Sequence, residues 1–246
     1  MTRALFRTIV GRRGSFLGTV GVTLAAVVVV AVVLLIVHTL RPGRNPSIGG
    51  QPMLDGVSGA VFLLGGVGAI VIGALAGSYD VAQGTMRYLV LTGVRRLAMY
   101  AARTLALVAA VLLALVPALV IGIALVYILP SKGEATVKPS ELGDVVWTCL
   151  LWPTVFAVIA MGIGSLLRSN GAAVAISLFF AFAAAPLLGL VSAASETLGD
   201  LMLLPALDRV TGADEGAPLA AAALAVVVWV AAFWSAGAVR VARDEY

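Results

Sequence analysis

The chain alternates between long apolar stretches and short polar connections. Six stretches stand out, over Phe16–Val37, Val57–Ser78, Thr104–Leu129, Val145–Leu167, Gly171–Ser192 and Pro218–Val239. Crossing a hydrocarbon core of about 30 Å takes about 20 helical residues at a rise of about 1.5 Å each. All six reach that length or exceed it. Lipid offers no partner for a free N–H or C=O, so each stretch has to satisfy its own backbone as a helix. The predicted fold class is therefore all-α, a polytopic membrane protein with six transmembrane helices forming a single transmembrane domain over residues 1–246. The first stretch outruns the roughly 7–15 apolar residues of a secretory leader, and no small-x-small site follows it, so a retained helix is expected.

The connections differ in character. His38–Gly56 carries Pro42, Pro46 and Pro52 among several glycines and should be irregular. Residues Pro130–Asp144 are polar and solvated in aspect. Thr197–Val210 sets leucines against Asp200, Asp208 and Arg209, a pattern that fits an interfacial segment, a re-entrant one or a capped loop. Ahead of the first span, Arg3–Arg13 reads either as an amphipathic interfacial helix or as a charged topology signal. Pro117 and Pro186 should kink the third and fifth spans.

Composition agrees with this class. Of 246 residues, 61% are hydrophobic and 11% charged, less than half the roughly 25% charge of a soluble domain. The sequence pI of about 9.6 does not point to nucleic acid, because the basic residues flank apolar spans instead of forming a patch. With the N-terminus inside, five of the basic residues lie outside: Arg41, Arg44, Lys132, Lys138 and Arg209. All the others of the 16 lysines and arginines lie inside. The positive-inside rule then puts both termini in the cytoplasm. Cys149 is the one cysteine, so no intrachain disulfide forms. His38, the one histidine, reads as an interfacial polar residue with no metal partners nearby.

Two patterns carry more information. Gly65, Ala69, Gly73 and Gly77 recur every four residues in the second span. They line one helix face with small residues, which lets another helix approach closely. The seam is expected within the chain, with a dimer interface as the alternative. The second pattern is Tyr79–Arg103, between the second and third spans, which holds Arg87, Arg95, Arg96 and Arg103 against the single acid Asp80. Met86 to Leu91 suits a short helix, and Thr92-Gly93-Val94 a break. Arg96 and Arg103 are two helical turns apart, on one face. Topology-setting and snorkelling arginines explain the charges. They do not explain the order acid, Gly-Thr, helix, glycine, Arg-Arg.

That order resembles the loop joining the second and third spans in permease subunits of ABC-2 type transporters. Asp80 stands at the family's glutamate, and Gly84, Thr85, Met86 and Arg87 match its Gly-Thr-Leu-Arg. Gly93-Val94-Arg95-Arg96 stands where the family often has Pro-Val-Ser-Arg, and Arg103 stands at its lysine. Asp for Glu, Gly for Pro and Arg for Lys are departures that keep charge or turn character. The stretch Gly162–Ser169 followed by Ala172 is a second resemblance. The motifs span about 35 residues, and such patterns are less specific than a Walker motif. The resemblance implies a plasma-membrane subunit that homodimerises or heterodimerises. It also implies a separate cytosolic ATPase that docks on the loop residues Asp80, Gly84, Thr85, Arg87, Arg95, Arg96 and Arg103. Export of an amphipathic substrate is the family-level expectation.

Catalysis within the chain finds little support. A P-loop needs Gly-Lys-Ser/Thr, and the lysines here follow Ser131 and Val137. The six apolar stretches hold no His, Asp or Glu, the usual groups of intramembrane enzymes and proton relays. No cofactor, metal or nucleic-acid partner is expected. An ATP-independent carrier or channel is the alternative function.

Overall fold

A computed structural model of the chain describes residues 13–40, 48–82, 95–129, 137–167, 169–189, 199–212 and 218–243. Among these residues the chain is helical and forms no strand. Six helices are long and apolar enough to cross a membrane, so the chain is built as a multi-pass membrane protein. Helix α1 spans Arg13–Leu40. Helix α2 runs on through three segments, Gln51–Ala60, a π-helical turn Val61–Gly65, and Gly66–Ala82. Helix α3 spans Arg96–Ile128 and α4 spans Pro139–Leu166. Helix α5 also contains a π-helical turn, with segments Asn170–Phe179, Phe180–Ala184 and Ala185–Gly189. The short α6 covers Leu203–Val210, and α7 covers Leu219–Arg243.

Several helices start before the apolar stretch that announced them. Helix α3 begins at Arg96, two turns ahead of Thr104, and α4 begins at Pro139, ahead of Val145. Proline at the first helical position costs no hydrogen bond. The Lys138 backbone N–H donates to the Glu141 carboxylate at 3.2 Å, capping the start of α4. The 33 residues of α3 reach about 50 Å, beyond any hydrocarbon core. Its first turns therefore stand in the polar layer, together with Arg95 and Arg96.

The bundle is layered around α2, α3 and α4. Half or more of the residues in the apolar window of each are buried, against about a sixth or fewer in α1, α5 and α7. The outer helices present Val28, Val32, Ile36, Phe179, Leu187, Leu224 and Val228 outward, the apolar surface that lipid solvates. Two apolar cores meet along α2 and α4. One gathers Leu107, Val111, Leu115 and Met161 with Val57 and Tyr100. The other gathers Trp152, Phe156 and Ile159 with Leu203 and Leu207 of α6.

The small-residue stripe of α2 faces the bundle interior. A side chain added at Gly73 would meet the backbone of Ala157, and one at Gly77 the backbone of Met161, Gly164 and Ser165, all on α4. Gly164 in turn sits on the backbone of Ala74. Ala69 is buried, and a side chain added at Gly65 would meet Leu115 of α3 and Thr23 of α1. Interlocking glycines bring two backbones into direct contact, which multiplies dispersion contacts where lipid gives helices no hydrophobic reason to associate.

Hydrogen bonds fix which helix ends share a side. Arg103 reaches Ala76, Arg96 reaches Ala242, and Ser78 reaches Asn170. This basic end therefore holds the end of α2, the start of α3, the start of α5 and the end of α7. At the far end the Gly50 N–H donates to the Val126 carbonyl at 3.0 Å. Gly50 has φ of 69°, a left-handed conformation that favours glycine, and it turns the chain into α2.

Helix α6 corresponds to the amphipathic segment of the sequence. It buries Leu203, Ala206 and Leu207 and packs along α7. The Trp229 indole N–H donates to the Leu201 carbonyl at 3.1 Å. Trp229 lies ten residues into α7, about 15 Å along it, so the segment leading into α6 reaches well below the far end.

Candidate functional site

Arg95 closes the approach to α3 in an extended conformation (φ −60°, ψ 126°). Arg96 is the first helical residue, and its Nη1 donates to the Ala242 carbonyl at 3.4 Å, in the last turn of α7. A guanidinium at a helix C-terminus satisfies a carbonyl that has no partner within its own helix and opposes the negative end of the macrodipole. Arg95, Arg96, Leu97 and Ala98 line a shallow depression with Ala242, about 550 Å³ in volume. Arg95, Leu97 and Arg243 are exposed, and Arg240 and Arg243 both lie in the last turn of α7. The surface is thus cationic with an apolar floor, chemistry suited to an acidic amphipathic segment.

Arg103 is placed differently. It is 4% exposed, and its Nη1 donates to the Ala76 carbonyl of α2 at 3.2 Å. Arg96 and Arg103 share a helix face as their spacing implies, yet one binds the end of α7 and the other the end of α2. Asp80 falls in the last turn of α2. Gly84, Thr85 and Arg87 lie outside the described residues, as do the Met86–Leu91 segment, the Thr92-Gly93-Val94 break and residues 1–12.

No family model, curated protein or solved structure matches the chain.

Beneath the arginines lies a layer of hydrogen bonds that sequence reading did not assemble. The Trp234 indole N–H of α7 donates to the Thr104 hydroxyl of α3 at 2.9 Å. Thr104 donates back to the Tyr100 carbonyl at 3.1 Å. The Tyr100 ring sits against Trp234, centroids 5.4 Å apart. Its phenol oxygen is 3.4 Å from the Ser165 hydroxyl of α4 and is seated over Gly237. Ser78, fully buried in α2, lies 2.8 Å from the Asn170 amide oxygen and 3.0 Å from the Ala74 carbonyl. Tyr100 is buried and Trp234 half-buried, whereas Tyr127 and Trp147 stand exposed near the far end.

The available signal was weak. Tyr100 and Thr104 sit on α3, Ser165 on α4 and Trp234 on α7, and the close approach at Gly162 and Gly237 brings them together. A side chain at Gly162 would meet the Phe233 backbone of α7. The combined arrangement is mechanical. The start of α3, where the segment from α2 arrives, is tied by Arg96 to α7 and by Arg103 to α2, and polar contacts link α3 onward to α4 and α7. Among the described residues, no three of His, Cys, Asp and Glu gather as a metal site would require.

Proposed function

We propose that the chain is the membrane-spanning permease subunit of an ABC-2 type transporter, coupled to a separate cytosolic ATPase and working as an exporter. Six apolar helices are consistent with a membrane transport protein. The finer reading rests on the Asp80–Arg103 resemblance. The observation that carries it furthest is the tie of the loop's far side into the bundle. Arg96 binds the last turn of α7 and Arg103 binds the last turns of α2, so a push on this loop moves three helices together. An exposed cationic surface with an apolar floor, at Arg95, Arg96 and Leu97, suits docking by a partner with acidic side chains. In this reading Arg95 and Arg96 meet the partner, while buried Arg103 passes the movement inward. Both termini and the loop are cytoplasmic, and the permease works as a dimer in the plasma membrane.

The test is to isolate the chain from its native membrane in mild detergent and assay what accompanies it. The expected companion is an ATP-hydrolysing subunit whose turnover changes when the permease is removed. A chain that purifies with no ATP hydrolysis in a preparation competent for transport would refute the proposal.

A further inference from the structure

Between α2, α4, α5 and α6 lies an apolar cavity of about 240 Å³, walled by Phe62, Gly66, Trp152, Phe156, Phe182 and Leu204 among others. Both π-helical turns of the described chain border it. Phe62 and Leu63 belong to the turn in α2, and Ala181 and Phe182 to the turn in α5. The third wall carries Pro153, a residue that cannot donate to the helix ladder. Two neighbouring helices thus depart from regular α geometry beside a third that lacks a ladder donor at Pro153, and π-turns recur at functional sites. Gly66 is buried, yet a side chain built there would meet nothing within 4 Å. The other tightly set glycines of α2 touch a neighbour at once. Gly66 therefore marks space that the fold leaves unfilled.

The position of the mouth narrows the guest. Leu63 and Phe182, on the rim, are 53% and 49% exposed. Each lies twelve residues from the start of its helix, about 18 Å along it, so the opening is at the depth of the hydrocarbon layer. An apolar cavity of about 150 Å³ already holds benzene in preference to water, and this one is larger. We infer that the cavity is a binding site for an alkyl chain, taken sideways from a bilayer lipid. Phe62 and Trp152, edge to face at 5.0 Å, and Phe156, stacked on Trp152 at 5.4 Å, provide a rigid aromatic wall for it. The inference needs the six membrane helices and nothing of the ATPase reading.

The experiment reads Trp152. The native chain and a Trp152→Phe chain are reconstituted in phosphatidylcholine bilayers, one set with bromine atoms midway along an acyl chain and one without. The difference between the two proteins isolates Trp152 emission from that of the other tryptophans. Bromine quenches indole on contact, so a 9%-exposed Trp152 should be strongly quenched by the brominated lipid. Gly66→Leu, which fills the cavity, should cut that quenching by more than half. The quenching of the remaining tryptophans should not change. Ala181→Leu, which narrows the opposite wall, should act in the same direction, and it serves if Gly66→Leu fails to fold. Equal Trp152 quenching with and without the filling substitutions would overturn the inference. So would quenching by soluble bromobenzene but not by brominated chains.

Discussion

Two glycines two helical turns apart in α2 should respond to alanine with opposite signs. At Gly73 a Cβ would come within 2.9 Å of both the Cα and the carbonyl carbon of Ala157, and closer still to its oxygen. Those atoms are the backbone of a buried helix and cannot swing aside. The α2–α4 seam has to open, and contacts at Gly77–Met161 and Gly164–Ala74 weaken with it. Overpacking of a tight core costs about 1–3 kcal/mol, and this seam belongs at the upper end because no side chain can relax. At Gly66 the same methyl meets nothing within 4 Å, and alanine removes a helix-interior penalty of about 0.5–1 kcal/mol. The two variants should therefore differ by roughly 1.5–4 kcal/mol. Unfolding of each purified chain in mixed detergent micelles, followed by helical circular dichroism, measures the gap. Gly73→Ala should unfold at lower denaturant than the native chain and Gly66→Ala at equal or higher denaturant. Equal midpoints for the two variants would mean that the stripe does not pack on α4.

Other outcomes follow from single contacts. Arg103→Met removes a buried charged donor from the Ala76 carbonyl and should cost about 1.5–3 kcal/mol, whereas Arg95→Met, at an exposed site, should stay within about 0.5 kcal/mol; the same unfolding assay separates them. Trp234→Phe deletes the 2.9 Å bond to Thr104 and should lower stability by about 0.5–1.5 kcal/mol, while Trp147→Phe, 52% exposed, should leave the melting curve in place. For topology, single cysteines at the exposed Ser140 and Gly143 in a Cys149→Ala background should react with an impermeant thiol reagent in intact cells, and one at the exposed Ala82 should not. The reverse pattern would invert the proposed orientation.

Hydropathy located the six spans because each apolar stretch must bury or face lipid along its whole length. It could not mark where helices end. Helix α3 continues through Arg96 to Arg103 because helical hydrogen bonding persists in the polar layer, where the side chains no longer need to be apolar. The stripe at Gly65–Gly77 was legible as a seam since period-four spacing is a local property. Its partner on α4 was not, because Gly164 and Ala157 carry no mark that pairs them with α2. Arg103 read as one of a cationic set. Its burial is a tertiary fact, set by α2 and α3 approaching closely enough for the guanidinium to find Ala76. The π-helical turns at Val61–Gly65 and Phe180–Ala184 had no sequence signal beyond Pro186 following the second. They shape the cavity, so the cavity was invisible as well.

The measurement that bears most directly on the proposed function is ATP turnover by the reconstituted chain and its partner ATPase, with native Arg96 and with Arg96→Glu. Arg96 joins the start of α3 to the end of α7 and borders the exposed cationic surface. A glutamate there would repel acidic groups of a docked partner at a cost of several kcal/mol. The expected result is permease-dependent ATP turnover with the native chain. With Arg96→Glu, at unchanged membrane level and topology, that dependence and co-purification should both be lost. Turnover indifferent to the native permease would contradict the coupling proposal as a whole.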